Sequence, residues 1–339
     1  MKHANIALFV PHAGCPYACS FCDQRSITGQ NRLPTGDTVR QTVKTALAQM
    51  GERAKTAQLA FFGGSFTAVP RAYMLELLEA AWEPVQAGKI ASIRVSTRPD
   101  AINQEILALL KRYGVASIEL GAQSMVDGVL RRNGRGHSAQ DTRRAARLIQ
   151  EAGFELGLQM MTGLPGDSDE GAVQTAKELI ALKADTVRVY PTVVLKNTEL
   201  SRQYHAGEYV PQTLKSAAAL GGRLLLLFHK AGVPVIRMGL HSVDPAAFEA
   251  GPFHPAFRDL CEGEIYLSLA RQILAKEKLT GEIELRVAPG AVSKMIGLKK
   301  RNLQALQDAG AFCTVRADSG LSSYEVTAKR RNGDAFKIH

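Results

Sequence analysis

Apolar and polar positions follow two rhythms along this chain. Short runs rich in β-branched and aromatic residues cover Ile6–Val10, Ala57–Phe62, Ser92–Thr97, Ser117–Leu120, Glu155–Met161 and Thr186–Tyr190, and predict strands. Between them, Tyr73–Trp82, Gln104–Tyr113, Asp141–Ala152 and Gly171–Leu182 carry apolar residues at helical spacing. Strands that alternate with helices imply a parallel sheet with helices outside it. Six such units predict an α/β fold, a partial (β/α)6 TIM-like barrel rather than a closed eight-fold one, with its active site at the carboxyl ends of the strands. A long helix is expected over Pro211–Ala231, where Leu224–Phe228 suggests a packed face, and Pro234–Met238 is one further candidate strand. The composition then shifts to Pro, Gly and His over Asp244–Pro255. That shift divides the chain into a barrel core at 1–243, a connecting helical segment at 244–280 with a helix over Gly263–Lys276, and a small α+β domain at 281–339.

No run of about 18 apolar residues occurs, so no transmembrane helix is expected. The first residues lead directly into an apolar run ending at Pro11, too short for a secretory signal, and the expectation is a cytoplasmic protein. The formal net charge of +10 favours a polyanionic partner such as nucleic acid, with a solvated basic surface as the alternative. Three of the five cysteines lie between positions 15 and 22, a spacing that suits ligands better than disulfides. Cys261 and Cys313 stand alone and read as small buried hydrophobes.

The cysteine segment is Cys15-x3-Cys19-x2-Cys22, on the loop after the first strand, with Gly14 and Pro16 at its bends. Three thiolates at this spacing can wrap one iron–sulfur cluster and ligate three of its four irons, leaving the fourth open to an external ligand. The alternative is a structural zinc ion with His12 or Asp23 as a fourth ligand.

With Phe21 before its last cysteine, this segment resembles the cluster signature of the radical S-adenosylmethionine (SAM) superfamily. The resemblance implies a 4Fe–4S cluster on Cys15, Cys19 and Cys22 whose open iron is chelated by SAM. It further implies that one electron cleaves the sulfonium to a 5′-deoxyadenosyl radical, which takes hydrogen from a substrate. Further motifs resemble those of the same superfamily and carry its SAM contacts onto this chain. Gly63-Gly64-Ser65 follows the second strand and resembles a Gly-Gly-Glu motif, with Ser65 in place of Glu. Ser96, Thr97 and Arg98 end the third strand. Leu120-Gly121-Ala122-Gln123-Ser124 and Arg135-Gly136-His137 resemble elements of a subgroup that includes the oxygen-independent coproporphyrinogen dehydrogenases and the Elongator catalytic subunit. They imply SAM contacts at Gln123 and Arg135, while His137 reads equally as a helix-entry residue. Gln159 stands where the porphyrinogen enzymes place a ribose-binding Asp, ahead of the turn Gly163-Leu164-Pro165-Gly166. Tyr190-Pro191-Thr192 and Thr198-Glu199-Leu200 match the Elongator-type branch, which puts Val193 and Val194 near the adenine; strand-end core is the alternative. His254, in another segment that looks specific to the branch, reads as structural.

Beyond Gly281 the pattern is a strand at Ile283–Pro289, a helix at Ala291–Ile296, a turn at Gly297–Lys300, a helix at Arg301–Ala309 and strands at Phe312–Ala317 and Ser323–Lys329. This order resembles a KH domain, a clamp for single-stranded nucleic acid whose Gly-x-x-Gly turn meets phosphates. Gly297 fits, Lys300 stands in place of the second Gly, and Lys299, Lys300 and Arg301 supply charge for phosphate. A cap or dimer contact is the alternative. The Elongator acetyltransferase lobe is not expected in the 60 or so residues after Gly281, so its carboxymethylation of wobble uridine is not carried over. The expectation is a radical SAM enzyme acting on RNA, tRNA above all, with a reducing partner such as flavodoxin or ferredoxin; the atom attacked, the catalytic residues and the oligomeric state are not read. The rivals are a radical SAM enzyme acting on a small molecule or peptide, and a non-enzymatic iron–sulfur sensor that binds RNA.

Overall fold

The computed structural model describes residues 5–10, 15, 19–22, 33–240 and 243–330, with the backbone alone of 335–338. Gly14 and Pro16, and the alternative zinc ligands His12 and Asp23, lie outside the described residues. The chain divides into two compact units, Met1–Gln212 with Val233–Phe253, and Thr213–Gly232 with His254–His339.

The first unit is a seven-stranded sheet of β1 (Asn5–Val10), β2 (Gln58–Gly63), β3 (Ser92–Thr97), β4 (Val115–Gln123), β5 (Glu155–Thr162), β6 (Thr186–Pro191) and β8 (Val235–Met238), in that spatial order. All pairs are parallel. The sheet is thus one strand wider than the six units read from the sequence, and the candidate at Pro234–Met238 supplies the seventh. A half barrel of this kind has two faces with opposite demands. Ile6, Leu8, Leu59, Phe61, Ile93, Val95, Ile118, Leu120, Leu156, Leu158, Val187 and Val189 are buried on the face that packs under the helices. The alternate positions, among them Arg94, Glu119, Gln159, Arg188 and Tyr190, share the other face, here called the lumen.

The helices of this unit are α1 (Gly36–Met50), α2 (Arg71–Gln86), α3 (Gln104–Arg112), α4 (Asp127–Arg132), α5 (Ala139–Glu151), α6 (Asp169–Ala181) and α7 (Glu199–His205). Five of these seven starts carry side chains that bond otherwise orphaned N–H groups: Thr35, Asn103, Ser138, Ser168 and Thr198 each cap one, and Thr35 and Ser138 do so in reciprocal capping boxes. Helix α1 was not anticipated, because only Gly36, Val39 and Val43 are buried along it and its apolar stripe is thin. A two-stranded antiparallel ribbon, β7 (Val194–Leu195) with β9 (Phe248–Ala250), completes the unit.

In the second unit, α8 (Leu214–Lys230) packs on α9 (Phe257–Lys276), which begins before the predicted Gly263. A Cβ on Gly221 would lie 2.5 Å from Cys261 Sγ, so this close approach of the two helices requires glycine. Cys261 is fully buried there, as a small core residue. Then follow β10 (Gly281–Val287), α10 (Val292–Ile296), α11 (Arg301–Gln307), β11 (Ala311–Ala317), β12 (Val326–Arg330) and β13 (Ala335–Ile338). The sheet order is β11-β10-β12-β13; β10 and β11 are parallel and the other pairs antiparallel. Strand β13 was not anticipated from the sequence. No helix among the described residues is long and apolar enough to cross a membrane.

Candidate active site

The described part of the cysteine segment is held by backbone and by one buried amide. Ser20 N–H donates to Asn133 O (3.2 Å), Ser20 Oγ donates to Asn133 Oδ1 (2.8 Å), Leu200 N–H donates to Ser20 O (2.7 Å), and Cys22 N–H donates to Cys19 O (3.1 Å). Asn133 is fully buried, and its amide nitrogen also donates to Val129 O (2.8 Å) and Pro165 O (3.0 Å). One side chain thereby joins the cysteine segment, the end of α4 and the Gly-Leu-Pro-Gly turn. Sequence reasoning missed it: Asn133 lies two residues before the Arg135-Gly136-His137 motif, and nothing in one dimension pairs it with Ser20.

Arg135, two residues on, reaches two predicted elements at once. Its Nη1 donates to Cys19 Sγ (3.2 Å) and its Nη2 to Gly121 O (2.8 Å), while its Nε is buried without a partner. A Cβ on Gly121 would fall 2.9 Å from Gln123 Nε2, so glycine makes the space these side chains occupy. Gln123 sits just past a register shift between β4 and β5, at φ +63°, a left-handed conformation uncommon outside glycine. Gln159 Nε2 donates to its Oε1 (3.4 Å). His137 is buried; its Nε2 bonds Ala122 O (3.1 Å) and its Nδ1 has no partner. Burial first, then the Arg135 charge, pushes its pKa down to about 4, so the ring is neutral at pH 7.

The Gly63-Gly64 turn is tied to β1 by Gly64 N–H to Val10 O (2.8 Å), and Gly63 takes φ +105°. The hydroxyls beside it mostly satisfy one another. Ser65 Oγ and Thr97 Oγ1 are 2.9 Å apart, Thr67 Oγ1 and Thr97 Oγ1 2.6 Å, and Arg98 N–H donates to Ser65 Oγ (3.2 Å). Arg98 pairs with Asp100 through Nε to Oδ1 (2.6 Å) and Nη2 to Oδ2 (2.5 Å). Ser96 Oγ donates to Glu119 Oε2 (3.2 Å) and so faces the lumen. Val193 and Val194 are both buried, in two different apolar clusters. His254, in the second unit, uses Nδ1 to accept from Ala256 N–H (3.0 Å).

Cys15 is exposed as a residue, yet desolvation of its sulfur, followed by the neighbouring Cys19, raises its pKa; the Ser65 N–H, Arg135 and Arg98 act in the opposite direction. Cys15 and Cys19 are therefore electrostatic neighbours beside two cations. Among the described residues no three His, Cys, Asp or Glu side chains converge as a ready metal site. The donor set nonetheless suits an iron–sulfur cluster: three thiols spaced along one loop after a strand, with Arg135 on the Cys19 sulfur, Arg135 and Arg98 within electrostatic reach of Cys15, and the buried Arg135 Nε without a partner.

A parallel half barrel that carries such a loop after its first strand defines an enzyme class. A model described as the radical SAM superfamily matches residues 9–179, half of the chain, and one described as the radical SAM C-terminal domain matches residues 184–266. The chain belongs to the radical SAM superfamily; it is an enzyme whose cofactors are a 4Fe–4S cluster and SAM. Within that family it is related to the Elongator branch. It is 31% identical over 126 residues to a tRNA uridine(34) acetyltransferase of Methanocaldococcus infernus, covering 36% of this chain and 24% of that one. Over 201 residues it is 26% identical to Elongator complex protein 3 of Saccharomyces cerevisiae, covering 53% and 36%. Among solved structures, the archaeal Methanocaldococcus infernus Elp3 with an N-terminal deletion shares the fold, with a TM-score of 0.61 and 19% identity over 79% of this chain and 63% of that one. The chain spans less than two thirds of the length of each of these relatives.

In the second unit, Gly297 has φ +76°, and a Cβ there would fall 2.8 Å from Asn302 Cγ. Lys299 and Lys300 both adopt positive φ, +51° and +62°. Arg301 is ion-paired with Glu264, so the two lysines are the unpaired cations of the turn among the described residues. Beside it, between α11 and β11, lies a groove of about 340 Å³ lined by Lys300, Leu303, Gln304, Gln307 and Phe312; Phe312 is 56% exposed. Cys313 also lines this groove and is only partly buried, short of the buried position expected of it.

Proposed function

We propose that this enzyme modifies RNA, with tRNA as its substrate. The observation that carries the proposal is the kinship, over 126 residues, with proteins named for tRNA uridine 34. The second unit supports it: a KH-like order of elements, a turn with two unpaired lysines, and an exposed aromatic beside an open groove, which together suit phosphate contact and base stacking. The net charge of +10 has the sign a polyanion requires. A cytoplasmic location and a one-electron donor of the flavodoxin or ferredoxin kind belong to the same proposal.

In this proposal Cys15, Cys19 and Cys22 hold the cluster. When bound, cluster and SAM together supply one-electron cleavage of the sulfonium, and with it a hydrogen-abstracting radical. Arg135 holds the Cys19 sulfur and offers its free Nε to an anionic acceptor such as the SAM carboxylate. Gly63 and Gly64 present backbone to SAM, and the Ser65, Thr97 and Arg98 contacts hold that turn against the end of β3. Gln123, fixed by its strained backbone, Gln159 and Ser96 offer hydrogen bonds to the sugar, and Val193 and Val194 wall the site. Filter binding of tRNA at several salt concentrations is the test. Affinity that falls log-linearly with salt is expected; no binding at about 50 mM salt removes RNA as the substrate.

A further inference from the structure

The lumen contains a charge imbalance that a β-bulge creates. Strands β6 and β8 run in register at Val187 and Val235, both on the helix-packed face. The register then shifts by one residue, Ile236 is the extra one, and Arg237 becomes the Cα partner of Arg188. Without the bulge Arg237 would face away from Arg188; with it, two arginines sit side by side on neighbouring strands, an arrangement that is unfavourable unless something anionic joins them. The carboxylates that the described residues place in the lumen are already used. Glu119, 3% exposed, accepts from Arg188 Nε (2.8 Å) and Arg94 Nη1 (3.4 Å), and Arg94 Nη2 pairs with Glu155 (2.9 Å). Among the described residues, three arginines thus face two glutamates. Arg237 is the one left over: among the described residues its only hydrogen bond is from Nε to Gly239 O (2.8 Å), and Arg188 lowers its pKa further after desolvation has done so. Tyr190, two residues along β6 from Arg188 and on the same face, brings a phenol within electrostatic reach of both arginines.

The cations stand next to an aromatic surface. The Arg188 guanidinium lies over the Phe62 ring, 5.2 Å from its centroid, and Phe62 and Phe9 are register partners on β2 and β1 with centroids 6.0 Å apart. Phe9, Phe62, Tyr190 and Arg237 are only half-buried, so a ligand can reach them. A flat π-surface beside an uncompensated cation and a phenol matches a molecule that is planar at one end and anionic at the other.

We propose that the lumen seats one nucleotide unstacked from the RNA chain, its base against Phe62 and Phe9 and its phosphate at Arg237, Arg188 and Tyr190. This rests on the reading of RNA as substrate and adds how the reacting unit is recognised. A base drawn out of its stack and held on an aromatic platform is how proteins generally reach the atoms of a single nucleotide. Arg237 and Phe62 are binding residues here.

The test uses the full chain, reconstituted with cluster and with SAM present. Binding of the four ribonucleoside 5′-monophosphates, the four nucleosides and inorganic phosphate is measured by calorimetry. At least one monophosphate is expected to bind about tenfold or more tighter than its nucleoside or phosphate alone. R237Q should erase the preference for monophosphate over nucleoside, R237K should keep part of it, and F62L should weaken both ligands together. R237Q is the chosen variant because loss of Arg188 would strand Glu119 and endanger the fold. A preference that survives R237Q, or monophosphates that bind no better than nucleosides, overturns the proposal. Filter binding of tRNA to the same preparations separates the two claims. If tRNA binds and R237Q leaves the monophosphate preference intact, the nucleotide seat fails and RNA stands. If monophosphates bind in an Arg237-dependent way but tRNA does not bind, the seat stands and RNA fails.

Discussion

Replacing Asn133 with alanine removes an amide with 0% exposure that makes three hydrogen bonds, at 2.8, 2.8 and 3.0 Å. The cost can be worked partner by partner. Val129 O keeps a donor, because the Asn133 backbone N–H also reaches it at 3.1 Å. Ser20 Oγ and Pro165 O do not, and both residues are buried. A buried polar group left without its partner costs about 1–3 kcal/mol. Two such groups, with partial relaxation, put the loss of stability at about 2–4 kcal/mol. Urea unfolding of the apoprotein, followed by far-ultraviolet circular dichroism, reads this directly. The same variant should take up less iron and sulfide on reconstitution although every cysteine remains, because the Ser20 clamp is what sets the Cys19–Cys22 segment. Ser20→Ala, which removes only one of the three bonds, should cost about 1 kcal/mol. An N133A protein within 0.5 kcal/mol of wild type that loads a full complement of iron would refute the reasoning.

Glu119→Ala leaves Arg188 and Arg94 without their shared buried carboxylate and should cost about 3–5 kcal/mol in urea unfolding; a loss under about 1 kcal/mol would mean that the lumen arginines are paired by other means. His137 has a folded pKa near 4 against 6.5 for the free group, so between those values the unfolded chain binds a proton that the folded chain refuses. Apoprotein stability should therefore fall as pH drops from 6.5 to 4, by on the order of 3 kcal/mol from this group, with no contribution above 6.5. His137→Gln should flatten that slope, and an unchanged slope rejects the assignment. Lys300→Gly relieves a left-handed residue while deleting a charge: stability should hold or rise by up to about 1 kcal/mol, while the salt dependence of tRNA binding falls by about one unit of slope. An unchanged salt slope would separate Lys300 from the phosphate contact.

Much of the barrel is visible in one dimension because burial of the helix-packed face writes a period of two into each strand. Six of the seven lie within two residues of their expected bounds at most ends, and β4 extends further only because Val115 and the bulged Gly121–Gln123 segment depart from simple alternation. The lumen was less legible. Arg94, Glu119, Glu155 and Arg188 interrupt apolar runs as isolated charges, and only the register of neighbouring strands brings them together. The extra residue Ile236 leaves no mark in composition, yet it decides which way Arg237 faces. At the candidate site the motifs located the right strand ends, but they did not distinguish side chains that face a ligand from those that hold the turn. Ser65 and Thr97 look alike in sequence to Ser96, and the structure gives them different partners. The missing interactions of Asn133 have the same origin, since its contact with Ser20 spans 113 positions.

Val193 and Val194 are consecutive, yet each belongs to a different apolar cluster. Val193 packs with Leu195 and Val243, whereas Val194 packs with Leu200, Tyr209 and Phe21 of the cysteine loop. Two neighbours that plug opposite sides of one thin ribbon tolerate a change of size far better than a change of count. Shortening either to alanine opens one gap on one side. Deleting a single residue between Pro191 and Val193 would rotate the ribbon by half a period, exchange the sides on which the two plugs sit, and withdraw Val194 from the cluster that holds the aromatic of the thiol-bearing loop. In this stretch a frame-preserving deletion should therefore be more damaging than any point substitution, and descendants of this gene should vary there in letter before they vary in length.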